Sequence, residues 1–348
     1  MTTVALTAVQ HAELYHCAVS GRTDWLLLRL TDEDGVTGWG ECSDAGPLPA
    51  VARVLAGGEA DPFTHRTVLG AIRQAQADQC ARRAGVPLWQ WLGGTGPAAE
   101  VELYANLNRA PGGRAPSELA GTAAAAVRAG FRTVKLAPFD TPGGDRLAHL
   151  GLARVQAVRA AVGPDVRVLV DCRERLPLAE LLPLLEPFAR LGVGWLEDGV
   201  GISRPAELAE LRRRTEIPLA GGEFADHPCQ LAAVDGLLDI VLPDVKHAGG
   251  PRQALALARA AGPARVSLHN PAGPVATLHS AHLAALLPAE PLEFAFGEVP
   301  WRAELLTAPE RIGDGRLTLP DGPGLGAEPD LRHRAIVPAW RGSCPLPE

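Results

Sequence analysis

The sequence predicts an α/β protein in which a small α+β domain precedes a closed barrel of parallel strands, of the (β/α)8 type. Three observations support this prediction. With 348 residues, the chain is longer than most single compact cores and suits a barrel with an added domain. Beyond residue 102, short apolar segments alternate with segments of helical pattern. Most of the apolar segments end on an ionisable residue, at nearly constant intervals.

The first 45 residues have the pattern of a β-meander. The segment TDWLLLRLTDEDGVTGWGECSD contains an apolar strand, a turn at DEDG and a second strand through VTGWGE. From about residue 48 to 92 the pattern becomes helical, and the helix in VLGAIRQAQADQCARRAG is expected to end at Gly85, just before Val86 and Pro87. We therefore expect an α+β domain over residues 1–97.

From Glu102 onward, apolar strands alternate with helices rich in Ala and Leu. The predicted strands are VELYANL, FRTVKLA, VRVLVDC, VGWLED, IPLAGGE, LLDIVLPDV, RVSLHN and LEFAFGE. These strands are too uniformly apolar to have a solvated face, which indicates a parallel sheet covered by helices. Eight such strands close most simply into a barrel, which we assign to residues 98–318, with residues 319–348 packing back on the first domain. An open doubly wound sheet is the alternative, but no strand–GxGxxG–helix unit opens this region.

A series of ionisable residues stands at the ends of these strands. Its members are Lys135, Asp171, Glu197, Glu223, Asp244, His269 and Glu293. From Asp171 on they are 26, 26, 21, 25 and 24 residues apart, about one strand and one helix each. A single carboxylate at a strand end is more often the N-cap of the next helix. A whole series in phase instead favours one shared site at the barrel mouth, where the active sites of such barrels lie.

Three carboxylates of the series come from neighbouring strands. Asp171, Glu197 and Glu223 would repel one another at one barrel mouth unless a cation neutralised them. Ligation by carboxylate oxygens suits Mg²⁺, whereas zinc would require His or Cys in the set. Cys172 is adjacent to Asp171, but its side chain points to the opposite face of the strand. The sequence therefore predicts a magnesium site formed by Asp171, Glu197 and Glu223.

Composition narrows the classes of function. Hydrophobic residues make up 47% and charged residues 21% of the chain, which is typical of a globular protein. The net charge of −7 argues against a nucleic-acid or anionic-membrane partner. The six cysteines include no CxxC pair, the N-terminus lacks signal-peptide features, and no apolar run is long enough to span a membrane. We therefore expect a cytoplasmic enzyme with a small-molecule substrate.

With these residues in place, the chain resembles the enolase superfamily, in the mandelate racemase-like branch of its mandelate racemase/muconate lactonizing enzyme family. The resemblance runs nearly end to end, from DGVTGWGE through GVPLWQWLGG to the last strand, and it rests on WLED, GGE and PDVKHAGG in this order and spacing. It implies an α+β capping domain over a (β/α)7β barrel, assembled as a homo-oligomer. It also implies a Mg²⁺ ion held by three carboxylates, and abstraction of the proton α to a substrate carboxylate through an ene-diolate.

The resemblance also assigns catalytic residues. In this branch the glycine pair of PDVKHAGG lies five and six residues after the strand-end aspartate, which selects Asp244 and leaves Lys246 out of register. Asp244 and His269 would form a dyad, in which the carboxylate fixes the imidazole tautomer and the other ring nitrogen takes a proton. Glu293 matches the glutamate that donates a hydrogen bond to the substrate carboxylate, with Glu298 as its competitor.

The second barrel strand departs from the family pattern. Where the family usually has Lys-x-Lys, this chain has Lys135 and then Ala137, which point to the same side of the strand. Racemisation needs an acid on one face of the substrate and a base on the other, whereas dehydration can use a single histidine. We therefore favour a hydro-lyase that dehydrates a sugar acid to a 2-keto-3-deoxy acid, as acid-sugar dehydratases do. A β-bulge that made Lys135 the second base would favour a racemase or epimerase, and a cycloisomerase is a further alternative.

Four residues are candidates for contacts with the substrate. Arg173, in DCRER, could clamp a distal carboxylate or hydroxyls, or pair with neighbouring carboxylates. In this architecture an early loop of the capping domain sets specificity, which here is HCAVSGRTD and contains His16 and Arg22. His247, at the start of the loop after Asp244, is assigned a supporting role. A barrel that binds a metabolite without catalysis is a further alternative, against which the complete ligand set and dyad argue.

Overall fold

The computed structural model describes residues 9–21, 23–96, 100–141 and 144–346. Its N-terminal part, called the cap below, contains strands β1 (Val9–Ala18), β2 (Asp24–Asp32) and β3 (Thr37–Glu41) and helices α1 (Leu48–Leu55), α2 (Pro62–Arg83) and α3 (Leu88–Trp91). Neighbouring strands of the cap run antiparallel, as the β-meander pattern predicts. The helices follow the sheet in the chain, so the cap has the expected α+β composition.

Helix α2 shows how local sequence sets the cap. Asp61 precedes the helix, and its carboxylate accepts hydrogen bonds from two backbone N–H groups of the first turn. The helix ends at Arg83, and Gly85 follows with a φ of +68°, a conformation that glycine adopts without strain. Helix α2 also lies directly on β3, since an added Cβ at Gly40 would stand 2.0 Å from the carbonyl oxygen of Ala71. This close approach explains the glycine in the TGWGE segment.

The barrel has eight parallel strands. They are β4 (Glu100–Asn106), β5 (Thr133–Leu136), β6 (Arg167–Asp171), β7 (Val193–Glu197), β8 (Leu219–Gly221), β9 (Ile240–Val241), β10 (Arg265–Val266) and β11 (Leu292–Ala295). The helices are α4 (Pro116–Arg128), α5 (Leu147–Val162), α6 (Leu178–Leu181), α7 (Leu185–Arg190), α8 (Pro205–Arg214), α9 (Pro228–Ala232), α10 (Pro251–Arg259) and α11 (Pro274–Ala284). Each strand pairs in parallel with the next from β4 to β10, and β11 pairs in parallel with β4. The predicted (β/α)7β barrel is confirmed. No helix in the described part of the chain is long and apolar enough to cross a membrane.

Backbone hydrogen bonds close the ring between β10 and β11. The N–H of Glu290 donates to the carbonyl of Val266 at 2.7 Å, and the N–H of Glu293 donates to that of Leu268 at 3.3 Å. One apolar cluster is formed by residues that β4 and β6 to β9 bring together: Tyr104, Leu169, Trp195, Ala220, Ile240 and Leu242. Inward-pointing side chains fill such barrels in layers. The polar residues at the strand ends therefore rest on a packed apolar layer.

The C-terminal segment connects both halves of the molecule. Strands β12 (Arg311–Gly313) and β13 (Arg316–Thr318) form a hairpin, and β13 pairs antiparallel with the start of β4. The last strand, β14 (Ile336–Gly342), pairs antiparallel with β1, which gives the cap sheet the order β14-β1-β2-β3. The segment after the barrel therefore returns to the cap. The exact domain limits at residues 97 and 318 stay predictions.

The cap is docked on the end of the barrel where the strands terminate. The carboxylate of Glu41, at the end of β3, accepts hydrogen bonds from the backbone N–H groups of Gly273 at 2.6 Å and Ala276 at 2.9 Å. These two groups lie at the N-terminus of α11, where a carboxylate is favourable. On α2, an added Cβ at Gly70 would stand 2.2 Å from the carbonyl oxygen of Lys246 in the loop after β9. The cap thus holds the loops that follow β9 and β10.

Candidate active site

The strand ends bring the predicted carboxylates together. Asp171 and Glu197 are the last residues of β6 and β7 and are paired partners in the parallel ladder. Glu223 follows β8 by two residues. Asp171 is 8% exposed and Glu197 is fully buried. Burial raises the pKa of Asp171 well above its usual value, and the charges of Glu197 and Glu223 raise it further. These carboxylates therefore share one crowded, dry environment.

One group of residues in the described chain has the spacing of a metal site. Ligand atoms of Glu197, Glu223 and His269 all lie within 4.8 Å of one another. Asp171 does not belong to this compact group, and its Oδ1 atom accepts a hydrogen bond from the backbone N–H of Arg173 at 3.0 Å. The structure thus brings two of the three predicted ligands, Glu197 and Glu223, within 4.8 Å of a ring nitrogen of His269. The set of Asp171, Glu197 and Glu223 as metal ligands stays a prediction.

A fourth carboxylate, in addition to Asp171, Glu197 and Glu223, was not predicted from the sequence. Asp198 directly follows Glu197, and its backbone has a φ of +43°. Burial raises the pKa of Asp198 well above its usual value, and the charges of Glu223, Glu197 and Asp171 raise it further. The signal is present in the sequence WLED, but the second acidic residue lies one position beyond the strand end and so outside the strand-end series.

His269 and Asp244 form the dyad geometry. Nδ1 of His269 lies 2.8 Å from Oδ2 of Asp244, and the two residues form a parallel β-bridge. Nε2 of His269 lies 2.9 Å from Oε2 of Glu223. Burial alone would lower the pKa of His269, but Glu223, Glu293 and Asp244 together raise it well above its usual value. For Glu223 the two effects have the opposite signs: burial would raise its pKa, but the adjacent His269 ring lowers it to about 2.

Asp244 is held from several sides. Its Oδ1 accepts from the backbone N–H groups of Lys246 at 2.6 Å and His247 at 3.3 Å. Its Oδ2 accepts from Nζ of Lys246 at 2.7 Å as well as from the His269 ring. Burial would raise the pKa of Asp244, but Lys246, His247 and His269 outweigh it and lower the pKa well below the usual value. Asp244 is therefore an anion with a fixed orientation.

Lys135 is paired with two glutamates. Its Nζ lies 2.6 Å from Oε1 of Glu197 and 3.0 Å from Oε1 of Glu293, and all three side chains are buried. Burial would lower the pKa of Lys135, but the charges of Glu197 and Glu293 raise it well above its usual value. Strand β5 pairs with both neighbours without a register shift, so the structure lacks the bulge that would turn Lys135 into a second base. Ala137 is fully buried just beyond this strand.

Glu293 accepts hydrogen bonds in this arrangement. Its Oε1 accepts from Nδ2 of Asn106 at 2.5 Å as well as from Lys135, and its Oε2 accepts from the backbone N–H of Asn270 at 3.0 Å. Burial would raise the pKa of Glu293, but Lys135, His269 and the Asn270 N–H lower it. A charged Glu293 has no proton to donate, so its predicted role as a donor stays a prediction. Asn106 and Asn270 were missed, although Asn106 is the last residue of a barrel strand.

A cavity of about 170 Å³ opens above these residues. Asp171, Glu223, His269 and Glu293 line its base. One wall is aromatic, because the His247 ring lies 4.9 Å from the ring of Phe63 and 5.3 Å from that of Phe224, measured between centroids. Burial lowers the pKa of His247 to about 4, so this ring is neutral. His247 thus forms part of the wall of this cavity, which we call the inner cavity, and its supporting role stays a prediction.

The wall opposite the aromatic rings leads outward. Asp44, Asn108, Arg109 and Arg173 line both the inner cavity and a larger outer cavity of about 570 Å³. Nη2 of Arg109, on the barrel, lies 2.8 Å from Oδ2 of Asp44, on the cap. Nη1 of Arg173 lies 3.1 Å from Oδ2 of Asp140. Arg173 was expected either to clamp the substrate or to pair with a neighbouring carboxylate. In the structure it forms an ion pair with Asp140 at the entrance to the inner cavity.

The two candidates on the early cap loop have different outcomes. Arg22 lies outside the described residues. His16 is not among the described residues that line the inner or the outer cavity; its Nε2 lies 3.1 Å from Oδ1 of Asp24, and it lines a separate cavity of about 270 Å³. In the cap sheet His16 is paired with Leu26 of β2, and its role in substrate binding stays a prediction.

Comparison with protein families places these residues in context. The family model described as Enolase C-terminal domain-like matches residues 118–333. This range contains all the strand-end residues from Lys135 to Glu293. The match covers most of the barrel, and it is independent of the cap.

Three curated relatives are enzymes. D-gluconate dehydratase of Thermoproteus tenax is 30% identical over 274 residues, which cover 76% of this chain and 54% of that enzyme, so the chain spans about half of that relative's length. A D-galactonate dehydratase family member of Streptomyces bingchenggensis (strain BCW-1) is 29% identical and covers 90% of both chains. Muconate cycloisomerase 1 of Rhodococcus opacus is 30% identical over 291 residues, which cover 81% of this chain and 73% of that enzyme.

Solved structures share the fold. A mandelate racemase/muconate lactonizing enzyme from Jannaschia sp. CCS1 superposes with a TM-score of 0.80 at 25% identity, covering 93% of this chain and 96% of that chain. A member of the enolase superfamily from Salmonella Typhimurium superposes with a TM-score of 0.78 at 20% identity, covering 92% and 96%. The second likeness concerns the fold alone. The cap and barrel are thus found together in both structures.

Proposed function

Because the chain belongs to the enolase C-terminal domain-like family, within the enolase superfamily, we propose that it is a Mg²⁺-dependent dehydratase that converts a sugar acid to a 2-keto-3-deoxy acid and water. One observation carries the proposal above the others. His269 is held by Asp244 through Nδ1, while a ligand atom of its ring lies within 4.8 Å of the carboxylates of Glu197 and Glu223, at the base of the inner cavity. This arrangement suits removal of a proton from carbon beside a bound carboxylate.

The residues present fit a magnesium ion by their chemistry. Asp171, Glu197 and Glu223 offer carboxylate oxygens, which Mg²⁺ prefers, and they crowd one another in a buried site. Glu197 is paired with Lys135, and Glu223 is paired with His269. Each of these two carboxylates therefore has a cationic neighbour. When bound, Mg²⁺ would neutralise the second negative charge that develops on the substrate when the α-proton leaves.

The reaction needs one base that becomes an acid. In its neutral form His269 takes the proton from C2 at Nε2, while Asp244 keeps the Nδ1–H in place and stabilises the charged ring that results. The same ring then returns the proton to the hydroxyl on C3, which leaves as water. The resulting enol takes a proton at C3 and becomes the 2-keto-3-deoxy acid. Each step can be assigned to His269, supported by Asp244.

The opposite face of the site favours dehydration over racemisation. Lys135 is held as a cation between Glu197 and Glu293, and a protonated ammonium cannot accept a proton. Two positions further on, Ala137 offers only a methyl group. Among the described strand-end residues, His269 is therefore the one base, on one face of the site. A racemase of the two-base kind would need a second base across the substrate.

Cycloisomerisation is a second candidate, favoured by the likeness to muconate cycloisomerase 1 over 81% of this chain. That reaction also passes through loss or gain of a proton beside a carboxylate, but it releases no water. Exchange of the α-proton with solvent deuterium, without loss of water from the substrate, would favour it. The dehydratase relatives and the single base favour the first candidate.

The cellular location of the enzyme and its partners are also proposals. We expect a cytoplasmic protein, because its six cysteines form no disulfide, and a small acid sugar as its partner, because a net charge of −7 disfavours nucleic acid and anionic membranes. Assembly as a homo-oligomer stays a prediction.

A screen of sugar acids tests the proposed function. The protein, with MgCl₂ added, is incubated with aldonates and aldarates of five and six carbons, and 2-keto acid is measured as its semicarbazone. We expect product from a subset of these acids, loss of activity with EDTA, and recovery when MgCl₂ is added in excess. A protein that binds Mg²⁺ but yields no 2-keto acid from any member of the panel would contradict the proposal.

A further inference from the structure

Lys246 is a buried cation that the proposed reaction does not use. Its side chain is fully buried, and its Nζ donates to Oδ2 of Asp244 at 2.7 Å. The same oxygen accepts from Nδ1 of His269 at 2.8 Å. A buried ammonium is costly unless it is paired, so the lysine requires this carboxylate. The dyad is therefore part of a three-residue chain of Lys246, Asp244 and His269.

The second carboxylate oxygen shows what the ammonium adds. Oδ1 of Asp244 is already held by the backbone N–H groups of Lys246 and His247. The position of the carboxylate is thus largely fixed by the backbone, and Nζ contributes charge at Oδ2. Without Nζ of Lys246, Oδ2 of Asp244 would be held by the His269 ring, which is the group that Asp244 has to orient. A charged donor makes the stronger hydrogen bond, so Lys246 provides the anchor that the ring cannot provide.

The cap keeps Lys246 in this position. The backbone of α2 contacts the carbonyl of Lys246 at Gly70, which leaves no room for a side chain there. The negative charges of Asp244, Asp44 and Glu41 outweigh burial and raise the pKa of Lys246, so it stays charged. Asp44 and Glu41 belong to the cap. The docked cap thus fixes both the course of the loop and the charge at its centre.

We infer that Lys246 is a positioning residue for the dyad: its charged ammonium holds Oδ2 of Asp244 and, together with the backbone N–H groups on Oδ1, keeps this carboxylate aligned on Nδ1 of His269. This inference rests on the proposed function, because it takes His269 as the base. It reaches beyond the proposed function in naming a third member of the dyad. The sequence pattern had set Lys246 aside, as a residue out of register for catalysis.

Substitution of Lys246 by methionine tests the inference, because it removes the charge and keeps the length of the side chain. We expect Lys246→Met to lower kcat by about 10- to 100-fold with little change in KM, the effect typical of supporting partners of a site. Lys246→Gln, which can donate a neutral hydrogen bond, should lose nearly as much. Wild-type kcat in Lys246→Gln would overturn the inference, because a hydrogen bond without charge would then suffice.

A double-mutant cycle separates this role from a merely structural one. If Lys246 acts through Asp244, Lys246→Met should change kcat by less than about twofold in an Asp244→Asn background. Losses that multiply in the double variant would contradict the inference. Arg159→Met is the matched control: this arginine donates to the carbonyls of Leu191 and Val166 near the start of the barrel strands, away from the dyad. It should lower thermal stability and leave kcat unchanged.

An NMR measurement keeps the inference testable even if no substrate is found. In wild type the Nδ1–H of His269, hydrogen-bonded to Asp244, should give a downfield ¹H signal that is absent from His269→Asn, and in Lys246→Met this signal should shift or broaden. An unchanged signal in Lys246→Met would overturn the inference. Failure of the acid screen with wild-type protein would instead contradict the proposed function, so the two failures are distinguishable. A Lys246→Met protein that does not fold leaves Lys246→Gln for both measurements.

Discussion

The base of the inner cavity and the rim that joins it to the outer cavity differ in how they are built. The base consists of strand-end residues, Asp171, Glu223, His269 and Glu293, and beneath it Lys135, Glu197 and Asp244 are buried in ion pairs. The rim consists of loop residues in separate ion pairs, such as Arg109 with Asp44, whose side chains are 21% and 32% exposed. Strand geometry therefore fixes the groups suited to chemistry, while loops from both domains form the surface suited to recognition.

The difference also appears in the consequences of a substitution. At the base, removing one partner leaves a buried charge without balance, which costs several times more than loss of an exposed pair. At the rim, water can replace a lost partner. Substitutions at the base should therefore change kcat or ion binding by orders of magnitude, and those at the rim should change KM by small factors.

The largest effect is expected at the base of the cavity, from His269→Asn. This substitution removes the proposed base and keeps a polar side chain of similar size, so kcat should fall by about 10³-fold, within the range of general acid–base catalysis. Steady-state kinetics on a sugar acid found in the screen measures it. His149→Asn, on the exposed side of α5, is the control and should keep wild-type kcat. A His269→Asn protein with wild-type rate would remove His269 from the mechanism.

The next effect concerns the ion. Glu197→Gln removes a buried negative charge next to Glu223 and Lys135, and it should weaken Mg²⁺ binding by about 10- to 100-fold. Isothermal titration calorimetry with MgCl₂ measures the affinity without any substrate. Glu186→Gln, in an exposed pair with Arg190, serves as the control. Equal affinities of wild type and Glu197→Gln would show that the ion is held elsewhere.

A smaller effect is expected at the rim. Arg173→Gln breaks an ion pair with Asp140 in which the side chains are 51% and 32% exposed. Loss of such a contact to substrate or partner is worth about 1 kcal/mol, or about fivefold in KM, with kcat nearly unchanged. Steady-state kinetics separates the two constants. A fall in kcat of the size seen with His269→Asn would erase the distinction between base and rim.

The smallest effect concerns stability and pH. Burial lowers the pKa of His279 to about 3 and that of His282 to about 4, both on α11 between cap and barrel. In the unfolded chain these two histidines bind a proton near pH 6.5. Between about pH 6.5 and 4 the unfolded chain therefore holds more protons than the folded protein, and the free energy of unfolding falls as the pH decreases. Thermal unfolding over this range should show a falling midpoint, with a shallower slope for His279→Gln. A midpoint independent of pH would contradict this account of the two rings.

The same comparison explains how far the sequence could be interpreted. The strand-end rule found the residues of the base because a strand is a local pattern, and its last side chain points to the barrel mouth in every such fold. The rule was applied to ionisable residues only, and it therefore passed over Asn106 at the end of β4. The confirmed barrel and the short distance between His269 and Asp244 both follow from this local regularity.

The rest of the site could not be derived in this way. The pair of Arg109 and Asp44 joins residues 65 positions apart on different domains, and nothing in either local sequence specifies the partner. The contact of Lys246 with Asp244 depends on the course of a turn that the cap contacts at Gly70. Both contacts result from the docking of two domains. Local patterns in the sequence do not encode how those domains meet.

Dehydration in D₂O tests the central claim most directly, namely that His269 and its carboxylate neighbours remove a proton from carbon and expel the neighbouring hydroxyl. The protein and MgCl₂ are incubated in D₂O with an acid from the screen, and the product is examined by NMR. We expect a 2-keto-3-deoxy acid with one deuterium at C3, formed by wild type and not by His269→Asn. A product without deuterium at C3, or equal formation by both proteins, would contradict the account.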